Sequence, residues 1–114
     1  MDFKKQKPIY LQIAESLCER MVAGEWQPDD RIPSVRDVAV QLGVNPNTVL
    51  RSFDYLQGNE IIYNRRGVGY FAASNAKEKI LNIQRCEFLE EEWPAVLQKM
   101  KMLNLSPEEL LGVI

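Results

Sequence analysis

Apolar residues recur along this chain with two periods, and the changes of period mark out its elements. Ile9, Ile13, Ala14, Leu17, Met21 and Val22 keep the spacing of an amphipathic helix, with Pro8 before it and Gly24 after. A loop follows, GEWQPDDRIP, whose Trp26 is expected to fill the gap between helices. At its end Arg31-Ile32 is a candidate for a very short strand, because Pro33 biases Ile32 to extended geometry. Val35, Val38, Ala39 and Leu42 then return to helical spacing; Ser34 and Asp37 have the separation of a capping box, and Gly43 stands where a helix ends with positive φ. A second short helix restarts at once, with Asn45 as a good N-cap and Pro46 at the position where its missing N–H costs nothing. Val49, Phe53 and Leu56 are its buried stripe and Gly58 closes it. The period next drops to that of strands: Ile61, Ile62 and Tyr63, a turn at Asn64-Arg65-Arg66-Gly67, then Tyr70 and Phe71 on the return.

The polar positions carry the functional signal. Thr48, Arg51, Ser52 and Tyr55 share a second face of the helix after Asn45, about 90° or more from its apolar stripe. Nothing in the fold requires that face. Helix, glycine-containing turn, helix with a polar face, and then a hairpin predict a winged helix-turn-helix over residues 1–73: mainly α, with one small β-hairpin. Arg65 and Arg66 fall at the tip of the wing, beside glycines that let backbone approach a phosphate closely. The arm before Pro8, with Lys4, Lys5 and Lys7, reads equally as a solvated terminus or as a phosphate contact.

Residues 74–114 change character. Ser74 or Asn75 can cap a helix bearing Ile80, Leu81, Ile83, Phe88 and Leu89 among charges. Trp93-Pro94 implies either a kink or a restart, and Val96, Leu97, Met100, Met102, Leu103 and Leu105 prolong the apolar face. Ser106-Pro107-Glu108-Glu109 opens a last short helix. The stripe is longer than one small domain can cover, so a helical dimerisation tail is expected, with Ile80, Ile83, Phe88, Trp93, Val96, Leu97, Met100 and Leu103 at the interface.

Composition narrows the chemistry. With no histidine, and with no P-loop, GxSxG or GxGxxG, the 114 residues offer no catalytic constellation, and no enzyme activity or cofactor is expected. The two cysteines, Cys18 and Cys86, cannot build a structural zinc site and read as small buried hydrophobes of a reducing cytoplasm. No apolar run approaches the ~20 residues of a membrane helix, and the N-terminus lacks the apolar segment of a secretory signal. Net charge is −2, with residues 1–73 balanced at nine basic and nine acidic side chains, so affinity for nucleic acid has to come from local charge.

IPSVRDVAVQLGVNPNTVLRSFDYLQGNEIIYNRRGVGYF resembles the DNA-binding domain of the GntR family of bacterial transcription regulators, whose pattern is PSxRxLAxxLGV, TV, LxxxGxI and RxGxGxF. The NPNTV version and the short helical tail are similar to the YtrA subfamily. The resemblance implies a homodimeric repressor on a palindromic double-stranded operator, usually of its own operon, often one for an ABC transporter. It makes Arg36 a DNA-contacting arginine, puts Asn45, Asn47 and Thr48 at the recognition-helix N-terminus, and makes Gly69 the wing glycine near the minor groove. Pro46 and Leu50 stand where many members have arginines, so Arg51 is the candidate substitute. The full expected DNA-binding set is Arg36, Asn45, Asn47, Thr48, Arg51, Ser52, Tyr55, Arg65, Arg66 and Gly69. The large metabolite-binding domain of other branches is missing, which leaves any small-molecule effector unidentified; the seam near Trp93 is its candidate place. The competing reading is a winged helix that binds a protein through Tyr55, Val68 and Tyr70 instead of DNA.

Overall fold

The computed structural model describes residues 6–113, so Lys4 and Lys5 of the basic arm lie outside the described residues. The elements run α1 (Ile9–Val22), α2 (Val35–Leu42), α3 (Pro46–Gly58), β1 (Ile62–Arg65), β2 (Gly69–Ala72) and α4 (Ala76–Glu87). A π-helical turn, Phe88–Glu92, leads into α5 (Trp93–Met102), and α6 (Pro107–Leu111) comes last. One compact unit spans Lys7–Asn82 and a second takes in residues 83–113. The first therefore reaches beyond the expected boundary at residue 73 into α4, where Ala76 and Ile80 are buried.

In the first unit α1 and α2 both pack on α3. Leu17, Val38, Val49, Phe53, Leu56, Ile61 and Ile62 are almost wholly enclosed, and each large apolar side chain removed from water contributes about 1.5–3 kcal/mol. Ile9 and Leu42, expected in the stripes, are instead exposed: they sit at the ends of their helices, beyond the reach of the packing partner.

Local chemistry sets the helix limits. Ser34 Oγ accepts from the Asp37 N–H at 3.0 Å, while Asp37 Oδ2 accepts from the Ser34 N–H at 3.3 Å, completing the capping box. Gly43, at φ 66°, ends α2. Asn45 Oδ1 accepts from the Asn47 N–H at 2.8 Å and opens α3. Gly58 is the last residue of α3, as expected, and the left-handed turn follows two residues later at Glu60, φ 59°. Its N–H reaches the Gln57 carbonyl at 3.0 Å and the Ile61 N–H reaches Leu56 at 2.9 Å, the paired bonds of a Schellman motif.

The wing is an antiparallel hairpin with Ile62 opposite Ala72, Tyr63 opposite Phe71, Asn64 opposite Tyr70 and Arg65 opposite Gly69. At its tip the Val68 N–H returns to the Arg65 carbonyl at 2.9 Å, and Gly67 supplies the positive φ, 78°, of a type II turn. The other edge of β2 is paired too. Ile32 N–H donates to Tyr70 and Ala72 N–H to Asp30, both at 2.9 Å, with Arg31 bridging Phe71, so the expected Arg31-Ile32 strand is a third, minimal one. Tyr70 meets Phe53 edge-on, with ring centroids 4.8 Å apart, and ties the wing to α3.

Trp26, expected between helices, lies against α1 at Arg20. It is half-buried, with the Arg20 guanidinium 4.4 Å above its ring, and Arg20 is also paired with Glu25. In the second unit, Trp93-Pro94 neither ends the helix nor restarts it. The Trp93 N–H bonds to the Phe88 carbonyl, five residues back, and the backbone stays helical through Glu92 and Trp93. Such a widened turn accommodates a proline that cannot donate to the carbonyl four residues before it. The second capping box forms as expected, with Ser106 Oγ accepting from the Glu109 N–H at 3.3 Å.

Candidate nucleic-acid interface

The N-terminal turn of α3 is open to solvent. Asn45, Pro46 and Asn47 are exposed and Thr48 is half-buried. Asn45 spends its side-chain oxygen on the cap, so its amide nitrogen is the group left to meet a ligand. One turn on, Arg51 is exposed, its guanidinium carbon 4.3 Å from the centre of the Tyr10 ring. Tyr55 is half-buried.

Ser52 does not belong to this face. It is wholly buried, and its hydroxyl donates to the Tyr10 carbonyl at 2.7 Å, with the Thr48 carbonyl at 3.2 Å as a second acceptor. Position 52 borders the Val49–Phe53–Leu56 stripe, and α1 covers that border, so a polar residue there serves the helix junction instead of the surface.

On the wing, Arg65 and Arg66 are both exposed, and the Arg65 guanidinium lies 5.4 Å from the centre of the Phe71 ring. Tyr63 stacks on the same Phe71 at 5.6 Å and donates its hydroxyl to Asp29 Oδ1 at 3.0 Å; desolvation first, and then the Asp29 carboxylate, hold that phenol above its ordinary value. Gly69 adopts φ 142°, and Arg31 packs directly over its Cα. The structure thus brings Arg31, Arg65 and Gly69 together around β2. Arg31 is the residue that sequence reading missed, and its only signal was its place on the minimal strand before Pro33.

Arg36, exposed in the first turn of α2, completes the cationic groups. Among the described residues, Arg31, Arg36, Arg51, Arg65 and Arg66 have no carboxylate partner; the ion pairs lie elsewhere, at Lys7–Glu15, Arg20–Glu25 and Lys79–Glu60. These five guanidinium groups, on the minimal strand, α2, α3 and the wing, are the local positive charge that a chain of net charge −2 has to offer a phosphate. Of the residues in the protein-docking alternative, Tyr55 and Tyr70 are half-buried, Tyr70 against Phe53, and only Val68 is exposed, at 48%.

The tail residues divide. Ile80 and Met100, expected at an interface, are buried within the single chain and are not available to a second copy. Ile83, Val96 and Leu97 are half-buried, whereas Phe88, Trp93 and Leu103 are exposed. Cys86, expected to be buried, is exposed; Cys18 is buried, and loss of solvation pushes its thiol up to about 12. No described helix is long and apolar enough to cross a membrane.

Comparison with known proteins matches this architecture. Residues 9–71 match the profile of the bacterial regulatory proteins of the gntR family. The helix-turn-helix-type transcriptional regulator YhcF of Bacillus subtilis is 39% identical over 96% of this chain and 88% of its own length. The helix-turn-helix-type transcriptional repressor YtrA of the same organism is 36% identical over 71% of this chain and 62% of its own length. The crystal structure of a GntR-family transcriptional regulator from Bacteroides thetaiotaomicron superposes with a TM-score of 0.82 at 43% identity, covering 92% of this chain and 91% of that one. The chain belongs to the GntR family and is a winged helix-turn-helix transcription regulator.

Proposed function

We propose that this protein is a repressor that binds, as a homodimer, an operator made of two inverted half-sites. The observation that carries the reading is the set of five arginines on the minimal strand, α2, α3 and the wing that have no carboxylate partner among the described residues. The exposed side chains of Asn45, Asn47 and Arg51, with the half-buried Thr48, enter the major groove, where an arginine forked onto guanine discriminates by ~1–3 kcal/mol. Arg36 and the N–H groups at the start of α2 hold phosphates, and Arg65 and Arg66 follow the flanking backbone with Gly69 close to the minor groove. Tyr55, half-buried on the same helix, lies at the edge of the contact. Repression follows the relative named as a repressor, YtrA. A two-fold dimer through the exposed part of the tail sets the two copies of α3 ~34 Å apart, one turn of duplex. The domain division, helix-turn-helix unit and dimerisation tail, follows from the same reading.

The test is selection of genomic fragments by the purified protein, followed by binding titrations on the recovered duplex. A sequence-selective complex whose affinity falls with salt is expected. Arg51→Ala should flatten the preference at one base pair of each half-site. A protein indifferent to duplex DNA, or a salt-insensitive shift, would overturn the reading.

A further inference from the structure

Two neighbouring residues of α3 grip a single residue of α1. Ser52 Oγ donates to the Tyr10 carbonyl at 2.7 Å, while the Arg51 guanidinium lies over the Tyr10 ring, 4.3 Å from its centre. Adjacent helix residues point ~100° apart. Tyr10 is therefore held at two places, its carbonyl by the buried Ser52 and its half-buried ring by the exposed Arg51. Arg51 has no carboxylate partner among the described residues, so the aromatic face is what fixes this long side chain. A guanidinium held over a ring face by its carbon leaves N–H groups to donate, the groups that fork onto an acceptor pair.

We propose that Tyr10 is a positioning residue for DNA recognition. Its ring holds the Arg51 guanidinium in one direction before DNA arrives, so the entropy of ordering that side chain is not lost on binding, and the arginine discriminates sharply at the base pair it faces. The inference rests on the reading that Arg51 contacts a base. Tyr10 itself touches no nucleotide, and the hydroxyl of its ring is dispensable; the π-face is the working part.

A double-mutant cycle on the full chain tests this. Tyr10→Phe, Tyr10→Leu, Arg51→Ala and the Tyr10→Leu/Arg51→Ala pair are titrated at fixed salt. The probes are the duplex recovered by selection and the same duplex changed at the base pair where Arg51→Ala relaxes preference; thermal melts confirm folding. Tyr10→Leu keeps the backbone carbonyl, and so the Ser52 bond. Tyr10→Phe should retain the parent ratio of affinities, and Tyr10→Leu should lower that ratio about three- to tenfold. In the Arg51→Ala background Tyr10→Leu should lower it no further. Equal losses in both backgrounds mean a merely structural role and overturn the proposal, as does an unchanged ratio for Tyr10→Leu. If Arg51→Ala flattens no base pair at all, the base-reading role of Arg51 fails first and takes this inference with it.

Discussion

A Cβ on residue 69 would lie 2.9 Å from Arg31 Nε and 3.3 Å from its Nη2, so Arg31 occupies the space that any side chain at Gly69 would need. The backbone there, at φ 142°, is a second and independent reason for glycine. Gly69→Ala is therefore expected to lose about 1–3 kcal/mol of stability from backbone strain, and to move Arg31 off the wing. Arg31→Ala should leave stability near that of the parent, weaken all duplexes alike and reduce the salt slope by about one. Melting curves and salt titrations separate the two effects. A salt slope unchanged by Arg31→Ala would show that this arginine is not on phosphate.

Ser52 gives the opposite pattern. It is the one buried polar residue among those described, and its hydroxyl closes the junction between α1 and α3. Ser52→Ala should cost about 1 kcal/mol of stability through the lost hydrogen bond, visible as a lower melting temperature. The base preference of the folded protein should stay as it was. A changed preference with an unchanged melting temperature would return Ser52 to the reading face.

These two cases show what the sequence made legible. Caps, helix stripes, the hairpin turn and the minimal strand follow local rules, and Ser34, Asn45, Pro46, Gly67 and Ser106 all serve as their chemistry dictates. The contacts that shape the interface are between residues far apart in the chain: Arg31 on Gly69, Arg51 on Tyr10, Ser52 on the Tyr10 carbonyl. Helical spacing places Ser52 at the edge of the stripe, but which side of that edge is covered depends on where α1 lies. Glu60 was hidden for another reason, since a left-handed glutamate contradicts propensity while a glycine stood two residues earlier. Its carboxyl, fully exposed, is held below the usual range by the hydrogen bond from Lys79.

The cysteines should differ in reactivity. Cys86 is exposed, whereas Cys18 is only 8% exposed and its thiol is pushed up to about 12 by burial, with Glu15 and Glu19 adding to the shift. Iodoacetamide at mildly alkaline pH is expected to label one thiol per native chain and two after denaturation. The linkage has a definite sign. Because the folded value lies above the unfolded one, the unfolded chain releases this proton first, and stability falls as pH rises from about 9 to about 12. The slope from this residue is at most about 1.4 kcal/mol per pH unit. Urea melts of the parent and Cys18→Ala across that window isolate the contribution, which is absent if the two lose stability in parallel.

The π-helical turn bears on assembly. In a regular α-helix residues five apart point ~140° from one another, but the extra residue in this turn makes them neighbours on one face. Phe88 and Trp93 accordingly lie with ring centroids 6.3 Å apart, 47% and 37% exposed. A paired aromatic surface of this kind suits a self-complementary two-fold contact. If the proposed dimer uses this pair, Trp93→Asp should give a folded monomer by sedimentation, because it places a charge on the aromatic surface while leaving the buried Met100 untouched. Losing the second subunit removes the effective-concentration advantage, so affinity for a two-half-site duplex should fall by 10²–10⁴ while affinity for a single half-site stays near the parent value. Met100→Asp is the contrasting variant, expected to unfold the tail itself, with loss of helical signal. A dimer that survives Trp93→Asp with its two-site affinity intact would move the seam away from the Phe88–Trp93 pair.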